Sequence, residues 1–128
     1  MRPTRVYIAA PWIERPRAVA AAARLRESHI EVTSRWHDIH GDSHDPVVLK
    51  REAQHDWDDI RSADALLLLN LSKSEGKAVE QGIALEHGIP IVAIGDRTNV
   101  FHYLDGQYTF VDTIGQAIDA LPYFEPRT

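Results

Sequence analysis

The sequence predicts an α/β fold built on a doubly wound, mostly parallel five-stranded sheet of the flavodoxin-like, Rossmann-like type. Two apolar runs, residues 65–69 and 89–94, lack the alternation of apolar and polar residues, as expected of strands that helices cover on both faces. Residues 64–95 therefore form one unit of strand, loop, helix and strand, with the two strands parallel. Strand-like and helix-like stretches alternate along the rest of the chain, which is typical of this fold class.

The remaining elements follow from local patterns in chain order. Strands are predicted at 5–10, 30–36 and 108–111, and helices at 14–27, 46–61 and 113–121. A loop with a short helical turn is expected at 96–104, a turn at Asp105 and Gly106, and a helix end at Pro122. The 128 residues, 44% of them hydrophobic, suit a single domain that spans residues 1–128.

Composition excludes several classes of function. The net charge of -5 provides no basic surface for nucleic acid, although a small phosphorylated ligand could still bind beside one or two local cations. The chain has no cysteine, which excludes thiol nucleophiles, disulfides and cysteine-based metal sites. No apolar run is long enough to span a membrane, and the first residues lack the apolar core of a signal peptide. We therefore expect a cytoplasmic protein without a membrane partner.

The predicted sheet places a ligand site in the loop 71–77 and the first turn of the following helix, because such sheets bind ligands at the carboxyl ends of their strands. Glu80 is expected in that first turn, where the helix dipole favours an ionised carboxylate suited to a nucleophile. Gly76 leaves room beside it, and Gly82 suggests that another group packs closely against the helix. The alternative is a glutamate that only stabilises its own helix.

Trp12 and Asp56 are two further candidate site residues. Ala9 and Ala10 end the first strand with small side chains, and Trp12 after them could stack on a base or simply belong to the core. Asp56 belongs to a cluster of acids near the end of the helix 46–61. Such a cluster usually forms a solvated face, and it would reach a ligand only if this helix tilts over the pocket.

Residues 37–45 form the most polar stretch of the chain, with three histidines and three aspartates. His37, His40 and His44 could bind zinc, manganese or iron, because imidazole and carboxylate are ligands for these metals. Their spacing matches no fixed ligand template, so we predict no metal site and favour a mobile lid over the pocket.

In their order along the chain, these motifs resemble the nucleoside 2-deoxyribosyltransferase family, which includes the deoxynucleoside 5'-monophosphate N-glycosidases. The resemblance covers nearly the whole chain. The segment 6–12 resembles the family's first strand, and Asp56 stands eight residues before Asp64, where the family keeps a base-contacting aspartate. The segment 79–90, with Glu80, resembles the Glu-x-Gly-x-Ala helix that carries the nucleophile of the family.

The resemblance implies roles for individual residues. Glu80 would be the nucleophile and Asp56 the group that contacts the base and acts as acid. The substrate would be bound by Tyr7, Ala9, Trp12, Ser74, Gly76 and Asn99. Asn99 would enter the pocket of a neighbouring subunit near the 5' end of the sugar, which implies a homo-oligomer of two or more chains. No metal or other cofactor is implied.

Ser74 points to a phosphorylated substrate. It stands six residues before Glu80, where the transferases typically have an aspartate and the monophosphate glycosidases a serine. A serine can donate a hydrogen bond to a phosphate that an aspartate would repel. Pro11 and Ile13, however, replace the serine and arginine that those glycosidases carry after the first strand. Phosphate binding would then need compensation by Arg15, Arg17 or Lys77.

The predicted function is cleavage of the N-glycosidic bond of a nucleoside through a glutamyl-glycosyl intermediate, with transfer of the sugar to another base. Three alternatives remain open. The chain could hydrolyse nucleoside 5'-monophosphates, or it could bind nucleotides without turnover. A metal-dependent hydrolase built on the three histidines is the third.

Overall fold

Five parallel strands form the centre of the fold. The computed structural model describes residues 3–104 and 106–121. The strands are β1 (Arg5–Ala9), β2 (Glu31–Val32), β3 (Ala65–Asn70), β4 (Ile91–Gly95) and β5 (Tyr108–Val111). They pair in the order β2-β1-β3-β4-β5, and every pair is parallel. The predicted doubly wound sheet is therefore confirmed.

Helices from both halves of the chain cover the sheet. They are α1 (Arg15–Glu27), α2 (Trp36–Ile39), α3 (Pro46–Arg61), α4 (Glu75–Glu86) and α5 (Ile114–Ala120). Short 3-10 turns lie at Trp12–Glu14 and Val100–Tyr103. Helix α1 packs against α5, and α3 packs against α4. The predicted turn at Asp105 and the helix end at Pro122 lie outside the described residues.

The core surrounds β3, all six residues of which are buried. Leu67 lies in register with Ile8 of β1 and Val92 of β4, so apolar side chains from three adjacent strands form one layer. Leu25 of α1 and Ile60 of α3 are fully buried as well. The unbroken apolar run of the sequence thus belongs to a strand covered on both faces.

The second strand is shorter than predicted. The pattern indicated a strand over 30–36, whereas β2 ends at Val32 and Trp36 begins α2. The ladder to β1 stops because a side chain replaces the next backbone partner: the amide of Ile8 donates to Ser34 Oγ over 3.1 Å. This early end brings the segment after β2 toward the carboxyl end of β1.

Among residues 3–104 and 106–121, no helix combines the length and the apolar character that crossing a bilayer requires.

Candidate active site

A cavity of about 460 Å³ opens at the carboxyl ends of β1 and β3. The chain leaves β1 toward β2 on one side and leaves β3 toward β4 on the other, so the strand order reverses here. Ligands of doubly wound sheets bind at this switch point. Helices α3 and α4 form two walls, and the residues after β1 and around α2 form the rest.

Five of the predicted site residues line this cavity: Trp12, Asp56, Ser74, Gly76 and Glu80. Helix α3 does tilt over the pocket, because Glu52, Asp56 and Ile60 of this helix line it together with residues of α4.

Tyr7 and Ala9 lie in β1 and are fully buried. Ala10, one residue further along, forms the cavity wall instead of Ala9. Tyr7 reaches the site indirectly, because its hydroxyl donates a hydrogen bond to Glu80 Oε2.

The position of Glu80 on its helix corrects the sequence analysis. Helix α4 begins at Glu75, and the N-cap Ser74 accepts a hydrogen bond from the amide of Lys77. The loop therefore ends at Ser74 and not at Lys77, and Glu80 lies in the second turn. The helix dipole acts mainly within the first turn, so it does not keep Glu80 ionised as expected.

Burial governs the protonation of Glu80 instead. Removal from water raises the pKa of the Glu80 carboxyl to about 8, the hydrogen bond from Tyr7 lowers it, and the nearby charge of Asp56 raises it. Burial, followed by the charge of Glu80, raises the pKa of Tyr7 well above its ordinary value. Tyr7 therefore stays a hydrogen-bond donor that stabilises the ionised form of Glu80.

Asp56 faces the cavity without the ion pair that its neighbour has. Burial and the charges of Asp59 and Glu52 raise the pKa of the Asp56 carboxyl to about 7. Its Oδ1 is buried without a hydrogen-bond partner among the described residues. Asp59, by contrast, is held by the guanidinium of Arg35 at 2.9 Å. The acidic cluster is thus divided between an ion pair and a carboxyl free to meet a ligand.

The three histidines of the polar stretch 37–45 do not lie together in the structure. His37 is buried and its Nε2 contacts Ser34 Oγ at 2.8 Å, while His44 is exposed. The described part of the chain contains no group of three or more side chains placed to hold a metal ion. His40 and Gly41 line the cavity, so part of this stretch does cover the site.

The sequence analysis did not assign Trp36, Glu52 or Trp57 to the site, although all three line the cavity, and it considered His40 only as a metal ligand or as part of a lid. Glu52 could have been found, because it precedes Asp56 by four residues and so shares its face of α3. Trp36 was assigned to a strand. His40 follows a helix of only four residues, and no periodicity indicates which way such a segment turns.

Of the three cations considered for phosphate binding, two are engaged elsewhere. The ammonium of Lys77 donates to Asn70 Oδ1 at 2.7 Å and to the carbonyl oxygen of Ser72. Arg17 pairs with Glu14 at 3.1 Å. The third, Arg15, has its guanidinium 5.0 Å from the ring centre of Trp12, which lines the cavity.

Asn99 lies outside the cavity of Glu80. It lines a different, smaller cavity together with Gln81, Gly82 and Phe101. Its Oδ1 accepts a hydrogen bond from the amide of Phe101 and so caps the second 3-10 turn. The close packing predicted at Gly82 is not found, because apart from its chain neighbours and the backbone of its own helix no described atom lies within 4 Å of a Cβ placed there.

Solved structures with this architecture include proteins of nucleoside chemistry. The 2-deoxyribosyltransferase of Bacillus psychrosaccharolyticus superposes with a TM-score of 0.65 at 17% identity, over 98% of this chain and 100% of the other. The CMP N-glycosidase BcmB of Clostridium botulinum gives 0.62 at 18% identity, over 94% and 100%. BlsM gives 0.64 at 18% identity, over 94% and 88%.

No family model matches the chain, and no curated protein matches its sequence. At these identities the similarity concerns the path of the backbone, and it extends over nearly the whole chain. The chain therefore has the α/β fold of a nucleoside 2-deoxyribosyltransferase and of a CMP N-glycosidase, the two kinds of protein that its sequence motifs resemble.

Proposed function

We propose that this protein cleaves the N-glycosidic bond of a nucleoside or nucleotide, with Glu80 as nucleophile, and transfers the sugar to a second base. The observation that carries the proposal is the pair of Glu80 and Asp56, which share one cavity at the switch point of the sheet. Two structural neighbours, a 2-deoxyribosyltransferase and a CMP N-glycosidase, act on compounds of this class.

The reaction needs a nucleophile on one side of the sugar and an acid at the base. A Glu80 oxygen forms a bond to C1' while the bond from C1' to the base nitrogen breaks, and its electron pair stays on the base. The protonated carboxyl of Asp56 donates its proton to the departing base. A second base then attacks C1', releases Glu80 and returns a proton to Asp56.

Local contacts favour this division of roles, while burial gives Glu80 the higher pKa of the two carboxyls. Glu80 receives the hydrogen bond of Tyr7, which favours its ionised form, whereas the negative charges of Glu52 and Asp59 favour a protonated Asp56. The two carboxyls titrate as a pair, with apparent pKa values near 7 and 8. Between these values the pair holds one proton, and the reactive tautomer is the one in which that proton is on Asp56 and Glu80 is ionised. We therefore expect a bell-shaped pH profile of kcat/KM with its optimum between about pH 7 and 8.

Transfer is favoured over hydrolysis by the aromatic lining. Trp12, Trp36 and Trp57 all border the cavity, and two of them leave more than two fifths of their surface exposed. Flat aromatic side chains can hold the departing base and then the incoming base in one place. A bound base also displaces the water that would otherwise hydrolyse the intermediate.

A second candidate is hydrolysis of nucleoside 5'-monophosphates, which the position of Ser74 favours. Ser74 lines the cavity at the N-terminus of α4, where a phosphate would meet backbone amides. Arg15 is the cation beside the rim. Ser74→Asp should weaken nucleotide binding about tenfold or more and leave nucleoside binding nearly unchanged, because a carboxylate repels the phosphate. Equal effects on both ligands would exclude this role of Ser74.

The proposed enzyme is an oligomer in which Asn99 serves a neighbouring copy. Around Asn99 lie exposed apolar side chains, Val100, Phe101 and Tyr103, each more than half exposed. Gly82 leaves open space beside them. A second copy of the chain would cover this apolar surface, and its cavity would receive Asn99 of the first copy.

Product analysis tests the proposal. The protein is incubated with a nucleoside, the corresponding 5'-monophosphate and a second free base, each in turn and together, and the products are separated by chromatography. A new nucleoside indicates transfer, and free base with free sugar or sugar phosphate indicates hydrolysis. Stoichiometric binding without release of base would leave only the nucleotide-binding alternative.

A further inference from the structure

Glu52 and His40 lie directly behind the proposed acid of the cavity. His40 Nδ1 is 3.6 Å from Glu52 Oε2 and 3.9 Å from Asp56 Oδ1. Glu52 and Asp56 stand four residues apart on α3, so their side chains share one face of the helix. All three residues line the cavity. The imidazole therefore faces two carboxyl groups at once.

The surroundings of His40 determine which ring nitrogen carries the proton. Nε2 is buried without a hydrogen-bond partner among the described residues, whereas Nδ1 faces the two carboxyls. A buried donor without a partner is more costly than a buried acceptor without one, which favours a proton on Nδ1. Burial lowers the pKa of His40, so the ring is neutral at neutral pH. It then presents one N–H to the carboxyl pair, closer to Glu52.

We propose that Glu52, which the imidazole N–H of His40 faces at 3.6 Å, holds the proton on Asp56 until the base departs. The idea rests on the glycosidic cleavage proposed above. A negative charge on Glu52 makes it unfavourable for Asp56 to ionise as well, because like charges at a shared site repel. Asp56 then retains the proton that the leaving base nitrogen needs. Glu52 and His40 are positioning residues in this scheme, since they act through Asp56.

Other charged groups around Asp56 do not replace this effect. The groups that influence its protonation from the surrounding elements are Tyr7, Arg35, His40, Glu52, Asp59 and Glu80. The charge of Asp59 also raises the pKa of Asp56, but Asp59 is bound by Arg35 at 2.9 Å, and the charge of Arg35 lowers that pKa. Glu80 must itself be ionised to react, and Tyr7 stabilises that charge. Glu52, whose carboxylate has a histidine and, among the described residues, no arginine beside it, can be changed without removing the nucleophile, the acid or the ion pair of Asp59.

Glu52→Gln tests the inference, with Asp58→Asn as the matched control. Both variants remove one negative charge from α3, but Asp58 is exposed and bonds to Gln54 instead of facing the cavity. In the full-length protein, Glu52→Gln should move the optimum of the pH profile of kcat/KM down by roughly half a unit and lower its maximum by up to about tenfold. Asp58→Asn should leave the profile in place, and Glu52→Asp, which retains the charge, should restore it.

A second measurement needs no turnover. The carboxyl carbon of Asp56, labelled with carbon-13 and assigned by its loss in Asp56→Asn, is titrated by NMR. We expect a midpoint near pH 7 in the wild type and one lower by roughly one unit in Glu52→Gln. An unchanged midpoint would overturn the inference. If Glu52→Gln does not fold, Glu52→Ser removes the same charge with a shorter side chain.

The proposed function and the proposed role of Glu52 can be refuted independently. If the wild type releases no base from any nucleoside or nucleotide, the proposed function fails, and with it the role in base departure. If the wild type releases base but Glu52→Gln keeps the same pH optimum as Asp58→Asn, only the role of Glu52 fails.

Discussion

Two polar clusters lie on α4 or beside it, and they differ in how completely their hydrogen bonds are made. The cavity cluster contains His40, Glu52, Asp56 and Glu80, and two of its buried polar atoms, His40 Nε2 and Asp56 Oδ1, have no hydrogen-bond partner among the described residues. The second cluster joins Gln81, His102 and Tyr108 on the other side of the helix. There, Gln81 Oε1 accepts from His102 Nε2 at 3.0 Å and from the hydroxyl of Tyr108 at 2.8 Å.

The polar side chains of the second cluster have hydrogen-bond partners within the protein. His102 Nδ1 accepts the amide of Thr98, so Nε2 carries the proton that goes to Gln81, and burial lowers the pKa of this histidine. The Nε2 of Gln81 donates to the carbonyl oxygen of Lys77. A complete buried network stabilises one conformation, whereas an incomplete one with shifted pKa values is typical of a site that binds a ligand. We therefore expect the first cluster to serve function and the second to serve stability.

Glu80→Gln is the test of this interpretation with the largest expected effect. We expect base release to fall by about a thousandfold or more, because an amide cannot form the glycosyl ester. The fold should persist, since the substitution preserves shape and leaves an oxygen that can accept from Tyr7. Turnover is measured with the substrate found by product analysis, and the fold by circular dichroism. A rate close to that of the wild type would show that Glu80 is not the nucleophile.

The next largest effect is expected for Asp56→Asn. Loss of the acid should lower the rate about a hundredfold, and binding of the base should weaken as well. A nucleoside whose base departs easily without a proton should be affected much less. Steady-state kinetics with both kinds of substrate check this result. Equal losses for both substrates would indicate that Asp56 acts by positioning the base and not by protonating it.

For the second cluster the expected loss is in stability. His102→Ala leaves the amide of Thr98 without its acceptor and removes one donor to Gln81. It should lower the free energy of unfolding by about 2 kcal/mol or more, while turnover per folded molecule stays within about threefold of the wild type. Urea unfolding at neutral pH measures this change. His44→Ala, at an exposed position, is the control and should change stability little.

The sequence predicted the fold better than the site, and the reason is physical. The buried run of β3 and the bounds of α3 follow from local patterns of apolar residues. The site depends on where helices of different parts of the chain meet. Tyr7 was predicted to bind substrate, yet its hydroxyl contacts Glu80, because β1 passes behind α4. No local pattern carries that information.

The protonation of Glu80 shows a second limit. A position near the start of a helix suggested an ionised carboxylate, but one extra turn and burial between α3, α4 and β1 reverse the expectation. Desolvation depends on all atoms around the group and cannot be derived from the helix that carries it. His40 is a similar case, since its contact with Glu52 arises from the meeting of two segments.

The smallest expected effect is a change in the free energy of unfolding, and its sign differs between the two clusters. The folded protein keeps a proton on Glu80 up to a pH of about 8, whereas the unfolded chain loses it near 4.5. Over this window the folded state binds more protons, so this group lowers the free energy of unfolding as the pH rises. Glu80→Gln should therefore stabilise the protein by about 1 to 2 kcal/mol at pH 9, after allowance for partial exposure, and by almost nothing at pH 4.

Urea unfolding of wild type and Glu80→Gln at both pH values measures the difference. Removal of a member of the cavity cluster would then increase stability, whereas removal of His102 decreases it. That opposition is expected if the cavity cluster is held under electrostatic strain for a ligand, because a site arranged for binding is not arranged for maximal stability. A loss of stability at pH 9 in Glu80→Gln would instead place Glu80 among the structural side chains, together with Gln81.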